Sequence, residues 1–128
     1  MRGYEFAPAS GRSHDESMVR RDFSTAKPVG RIRFGRYYMF QEGVGKWLYT
    51  DYNDIVWAYR RLEDVQSRLG HKTAGLGIHT LMIVTKDRKR IGIPVGNEEN
   101  IVEGLSLIRQ HNAFVDIGFA REKEVKYL

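Results

Sequence analysis

The chain contains no cysteine. Disulfides, thiolate-held metals and cysteine nucleophiles are thereby excluded, and the composition fits a reducing compartment. No apolar run approaches the roughly 20 residues needed to span a bilayer. The opening "MRGYEFAPASGRSHDE" (Met1 to Glu16) lacks the apolar centre of a secretory signal. The expectation is a cytoplasmic protein with no transmembrane segment.

Signatures of catalysis and cofactor binding are also missing. "GVGK" (Gly43 to Lys46) places lysine after glycine but lacks the spacing and the strand–loop–helix setting of a phosphate-binding loop. "GLG" (Gly75 to Gly77) is no dinucleotide fingerprint. The four histidines, His14, His71, His79 and His111, are scattered, and none has a ligand partner at short spacing. No metal site is expected. His79 reads as a half-buried strand residue, and His111 suits the negative end of a helix. Asp51 and Asp54 bracket a turn, with Glu63 and Asp64 beyond. Acid–base work by such a pair needs a cleft and raised pKa values, which the spacing does not promise. No catalytic residue and no cofactor are expected, and the chain does not read as an enzyme.

What is present is an ordinary globular composition. The chain has 128 residues, 41% hydrophobic and 29% charged, with seven Tyr, six Phe and two Trp. That length fits one domain with a core of its own. The formal net charge of +5 permits an anionic partner without demanding one.

Residues 1–22 read as weakly ordered, because "APASGRSHDES" (Ala7 to Ser17) is polar and turn-prone. Val19 and Phe23 are candidate anchors, and residues 23–128 read as a single domain. "RIRFGRYYMF" (Arg31 to Phe40) alternates, with Ile32, Phe34, Tyr38 and Phe40 on one face and Arg31, Arg33 and Tyr37 on the other. Gly35 marks a bulge or bend. "QEGVGK" (Gln41 to Lys46) is a turn into a second strand, "KWLYT" (Lys46 to Thr50). "DIVWAYRRLEDV" (Asp54 to Val65) suits a strand by its β-branched and aromatic content, with Ile55, Trp57 and Tyr59 on one face. A helical period is the competing reading. Gln66 to Gly77 reads as a flexible loop.

"IHTLMIVTKD" (Ile78 to Asp87) and "RKRIGIPV" (Arg88 to Val95) form a hairpin, and Pro94 points to an edge or a strand end. "GNEENIVEGLSLIRQHN" (Gly96 to Asn112) is a helix: Asn97 caps it, Glu98 and Glu99 complement its positive end, and Asn112 stops it. Ile101, Leu105 and Ile108 make its apolar stripe, and Gly104 beside them permits close approach to a sheet. "AFVDIGF" (Ala113 to Phe119) is a short strand or extended segment, and "AREKEVKYL" (Ala120 to Leu128) a frayed helical tail.

Antiparallel strands followed by one late amphipathic helix give a mainly β, α+β class. From Phe23 to Val125 the chain resembles a group of uncharacterised bacterial domains of pleckstrin-homology-like architecture. The resemblance is carried by "RIRFGRYYMF", "YNDIVWAYRRL", "LMIVTKDRKRIGIPV" and the helix followed by "FVDIGFAREKEV". It implies a bent antiparallel β-barrel or roll capped by the helix. A typical fold of that kind ends with its helix, whereas this chain continues.

In lipid-binding domains of that architecture, basic residues at a strand–strand hairpin hold headgroup phosphates. The corresponding candidates are Lys86, Arg88, Lys89 and Arg90. The plainer reading is a solvated tip that guards an edge. Arg31, Arg33 and Arg36 interleave with Phe34, Tyr37 and Tyr38, but no RNA-binding signature is present, so nucleic acid is not the expected ligand. "WLYTDY" (Trp47 to Tyr52) clusters rings that suit either a core or a protein-binding patch. The expected function is a non-enzymatic binding or regulatory module. Its contact is a protein partner, or a second copy across a strand edge, and the alternative is an anionic ligand at the basic hairpin.

Overall fold

Leu81, Met82, Ile83 and Val84 are consecutive and all buried. They lie on one strand with packing on both faces, which is why the run shows no polar alternation. The computed structural model describes residues 4–66 and 72–128, apart from the side chains of residues 63–66 and 72–76. Its elements are β1 (Phe6–Pro8), α1 (Glu16–Ser24), β2 (Lys27–Val29), β3 (Ile32–Phe34), β4 (Tyr38–Gly43) and β5 (Lys46–Asp51). A single 3₁₀ turn (Tyr52–Asp54) leads into β6 (Ile55–Gln66), β7 (Lys72–Thr85), β8 (Arg90–Pro94), α2 (Glu98–His111), β9 (Asp116–Ile117) and α3 (Arg121–Tyr127).

The strands form two mixed sheets, ordered β1-β5-β4-β3-β2 and β8-β7-β6-β9. Most pairs are antiparallel, but β1 joins β5 and β9 joins β6 in parallel. The main core draws Ile32, Phe34 and Met39 from the first sheet, Ile55, Ala58, Leu81, Ile83 and Ile91 from the second, and Ile101 and Ile108 from α2. Two smaller clusters lie on the other faces. Val19 and Phe23 of α1 pack on Tyr38, Phe40 and Tyr49. Tyr127 of α3 and the adjoining Leu128 pack on Trp57, Tyr59, Met82 and Val84. Thus α1 and α3 each cover the outer face of one sheet.

The mainly β class with a late amphipathic helix is what forms. The expected bent barrel is not: among the described residues the strands make two sheets and no closed barrel. The segment expected to be weakly ordered also differs, for it carries β1 and α1. Asp15 starts that helix by accepting a hydrogen bond from the Ser17 amide, and Val19 and Phe23 bury its inner side.

"RIRFGRYYMF" is a hairpin rather than one strand. The turn at residues 35–37 reverses the chain, so Ile32 and Phe34 face the main core while Tyr38 and Phe40 face α1. A bulge between Ile55 and Trp57 separates those two residues in the same way, sending Ile55 to the main core and Trp57 to the α3 side. Of the expected loop, Gln66 and residues 72–77 belong to strands, while 67–71 fall outside the described residues.

The helix α2 follows its sequence pattern. The Asn97 side chain accepts from the Asn100 amide, and Asn112 is the C-cap. A β-carbon on Gly104 would lie 3.4 Å from Leu81 Cδ2, so the close approach to the sheet is real. The three prolines of the chain, Pro8, Pro28 and Pro94, sit in β1, β2 and β8, each an edge strand.

Candidate functional site

Near the end of α1, the buried side chain of Asp22 points into the turn between β3 and β4. Its carboxylate accepts from three successive amides: Arg36 at 2.7 Å, Tyr37 at 3.1 Å and Tyr38 at 2.9 Å. Hydrogen bonds to a charged acceptor in a shielded setting are among the stronger ones. The Tyr52 hydroxyl donates to the Gly35 carbonyl at 2.8 Å and ties the same turn from the other side. Burial pushes the Tyr52 phenol far above its ordinary pKa, and the nearby Asp22 charge adds to this.

This rigid turn points two side chains outward. Tyr37 is 50% exposed, Met18 on the neighbouring face of α1 is 46% exposed, and the Arg36 guanidinium lies 5.5 Å from the Tyr37 ring centre. They border an open cleft of about 550 Å³, whose lining also includes His14, Asn53 and Gln110. At one side of the cleft the His111 ring stacks on Tyr52, centroids 4.4 Å apart and planes within 15°. Burial holds the His111 imidazole below its usual pKa, against the opposing pull of the Asp22 charge.

At the other side, the lead-in to α1 crosses β4 and β5. The His14 amide donates to the Tyr49 hydroxyl at 2.9 Å, and His14 Nδ1 shares a hydrogen bond with the Tyr38 hydroxyl at 3.1 Å. The ring stands edge-on to both tyrosines. One His14 ring nitrogen and one carboxylate oxygen each from Asp51 and Asp54 lie within 4.8 Å of one another. The fold thus gives His14 the carboxylate neighbours that sequence spacing did not. His111 lies elsewhere in the cleft, His79 sits half-buried on β7, and His71 lies outside the described residues.

The basic hairpin is divided. Lys89 donates its ammonium to the Ala9 carbonyl, and Arg90 pairs with Glu124 at 3.3 Å. Lys86 and Arg88 are exposed, with no ion pair among the described residues. Arg88 occupies the tip in a left-handed conformation, φ 65°. Of the ring-and-arginine pattern, Arg33 lies over Phe23 and Trp47, and Phe34 and Tyr38 are buried. Only Tyr37 of that set presents an open ring. Tyr49 and Tyr52 are core residues, and Trp47 packs half-buried beside Phe23.

Gly35 signals a bend in the sequence, but Asp22 carries no local signal, because its partners are amides more than a dozen residues away. Exposure of Arg36 depends on the turn, because a strict period of two places it with the apolar residues, whereas Tyr37 is exposed as alternation implies.

Fold and site together define a mainly β, α+β domain of two helix-covered sheets, with an open polar cleft at the turn between β3 and β4. The chain belongs to the family described as "Domain of unknown function (DUF6709)", whose model matches residues 9–127. That span takes in α1 and all of the cleft. Neither a curated protein nor a solved structure matches the chain.

Proposed function

We propose that this protein is a non-enzymatic binding module that holds a protein partner through the Arg36–Tyr37 turn. One observation carries the reading: a buried carboxylate immobilises three consecutive amides of a turn whose side chains face solvent. A contact surface that is already ordered loses little entropy on binding. Tyrosine, arginine and methionine are also the residue types enriched where protein interfaces bury their centres. Arg21 and Arg36, which line the adjoining hollow with Met18 and Tyr37, favour a partner segment carrying acidic residues.

The test is site-specific photocrosslinking. A benzoylphenylalanine in place of Tyr37 should trap one discrete partner in cells, while the same residue in place of the fully exposed Val44 should not. With that partner purified, Arg36→Ala with Tyr37→Ala should weaken binding by at least about tenfold, the scale of one interface hot spot. Equal capture at both positions, or unchanged affinity in the double variant, overturns the reading.

A second reading, an anionic ligand at the hairpin, is favoured by the exposure of Lys86 and Arg88. Lys89 and Arg90 already serve the fold, so any headgroup or phosphate would rest on two cations. Co-sedimentation with anionic vesicles at low salt, lost on Lys86→Ala with Arg88→Ala, is the expected signature. Vesicles that leave the protein in solution dismiss the lipid form.

A further inference from the structure

We infer that His14, Asp51 and Asp54 form a binding site for a first-row divalent transition ion such as zinc or manganese. The three come from two separate stretches, the lead-in to α1 and the bend that ends β5, and their ligand atoms converge within 4.8 Å. Imidazole nitrogen with carboxylate oxygen is a donor set suited to these ions, whereas magnesium and calcium favour oxygen alone.

The His14 ring is held in place. Tyr38 engages Nδ1, and Nε2 has no hydrogen-bond partner among the described residues. A histidine that ligates through one nitrogen characteristically has its other nitrogen held by a neighbouring group. The edge-on contacts with Tyr38 and Tyr49 fix the ring plane further.

The carboxylates are poised as well. Asp51 Oδ1 accepts from the Asn53 amide, which sets the side chain while leaving Oδ2 for a ligand. The Asp54 carbonyl accepts from the Lys86 amide at 2.8 Å, which fixes the backbone beneath its carboxylate. Neither aspartate has an ion-pair partner among the described residues, in a chain with 21 Lys and Arg against 16 Asp and Glu. Arg12, Lys86 and Asp87 line the same hollow, and the two adjacent carboxylates beside the imidazole attract a cation to its centre. Bound there, the ion would clip the N-terminal segment to the 3₁₀ turn. His14 and Asp51 also line the cleft bordered by Arg36 and Tyr37, but the inference rests on the converging ligand atoms and not on the partner reading.

Calorimetric titration of zinc chloride and manganese chloride into the full chain tests it, with magnesium chloride alongside. The expected result is one saturable site for zinc or manganese, weakened more than about tenfold by Asp54→Asn and by His14→Gln. Glu16→Gln, which alters a nearby exposed carboxylate outside the cluster, should leave the affinity unchanged. Asp54→Asn preserves side-chain shape, so it reads the site even if His14→Gln loosens the segment. Substoichiometric manganese should broaden the His14 ring-proton resonances ahead of those of His79 and His111. Absence of saturable binding, binding undiminished in both variants, or broadening centred on another histidine would each overturn the inference.

Discussion

Asp22 and Gly35 compete for one position: a β-carbon built on Gly35 would stand 2.1 Å from Asp22 Oδ2. The carboxylate reaches its three amides only because residue 35 has no side chain. Gly35→Ala must therefore expel the carboxylate or bend the turn. We expect a loss on the order of 3 kcal/mol in urea unfolding, comparable with that of Asp22→Ala, because both leave three amides, the buried one of Tyr38 among them, without their acceptor. The double variant should cost little more than either single one, since both break the same contact.

Gly104 makes the opposite case. An added β-carbon meets Leu81 Cδ2 at 3.4 Å and Phe34 Cζ at 3.5 Å, which is ordinary contact. Alanine also favours a helix interior over glycine by roughly 1 kcal/mol. Gly104→Ala should leave thermal stability unchanged or raise it slightly, while Gly104→Leu should lower it by about 1–3 kcal/mol through overpacking.

Asn112 ends α2 and also bridges it to the middle of the chain. Its buried amide donates to the Tyr52 carbonyl at 2.8 Å and the Ile55 carbonyl at 3.0 Å, and its oxygen accepts from the Phe114 amide at 3.0 Å. Asn112→Ala should cost about 2 kcal/mol by leaving these groups unpaired. Asn112→Asp should cost more, since it sets a carboxylate against two carbonyl oxygens. Denaturant midpoints of the two variants give the comparison.

The His111 imidazole has a lowered pKa because burial against Tyr52 disfavours its charged form. The unfolded chain, with a histidine value of about 6.5, then takes up the proton before the folded chain does. Stability from this group is complete above that value and is lost as pH falls through the lower folded value. Melting temperature should drop between pH 7.5 and 5.5, and His111→Gln should flatten that slope. An unchanged slope would remove His111 as its source.

The cover over Trp57 gives an optical test. Lys123 reaches Asp116 at 2.7 Å and the Gly118 carbonyl at 2.9 Å, Tyr127 donates to Asp116 at 3.0 Å, and Trp57 Nε1 donates to the Gly118 carbonyl at 2.8 Å. Lys123 and Tyr127 both hold the Asp116 carboxyl below its ordinary pKa. Asp116→Asn weakens the two α3 contacts made to that carboxylate, from Lys123 and from Tyr127, at once. Tryptophan emission should shift to longer wavelength and iodide quenching should rise, whereas exposed Glu122→Gln should change neither.

Much of the fold was legible from local chemistry. The cap at Asn97, the stop at Asn112, the apolar run from Leu81 to Val84 and the turn glycine Gly45 (φ 71°) each act within a few residues of themselves. Strict alternation puts Ile55 and Trp57 on one face, but it holds only until a bulge intervenes. Alternation likewise puts Tyr38 and Phe40 with Ile32, since a turn and a bend give the same glycine signal. The site was less legible still. Asp22 serves amides across a turn, and His14 meets Asp51 and Asp54 only after α1 has docked, so no window along the chain contains either arrangement.

Placement of the prolines bears on how copies of this molecule meet. A strand lacking one amide donor offers a broken ladder to an incoming chain. β1, β2 and β8 are each interrupted in this way, and β9, the remaining border, has two residues. Strand-to-strand dimerisation at those borders is therefore disfavoured. The β6–β7 hairpin differs, because β8 pairs with β7 only over Thr80–Val84. If concentrated solutions form oligomers or fibrils by backbone pairing, growth should start from that two-stranded arm, not from the packed body of the domain.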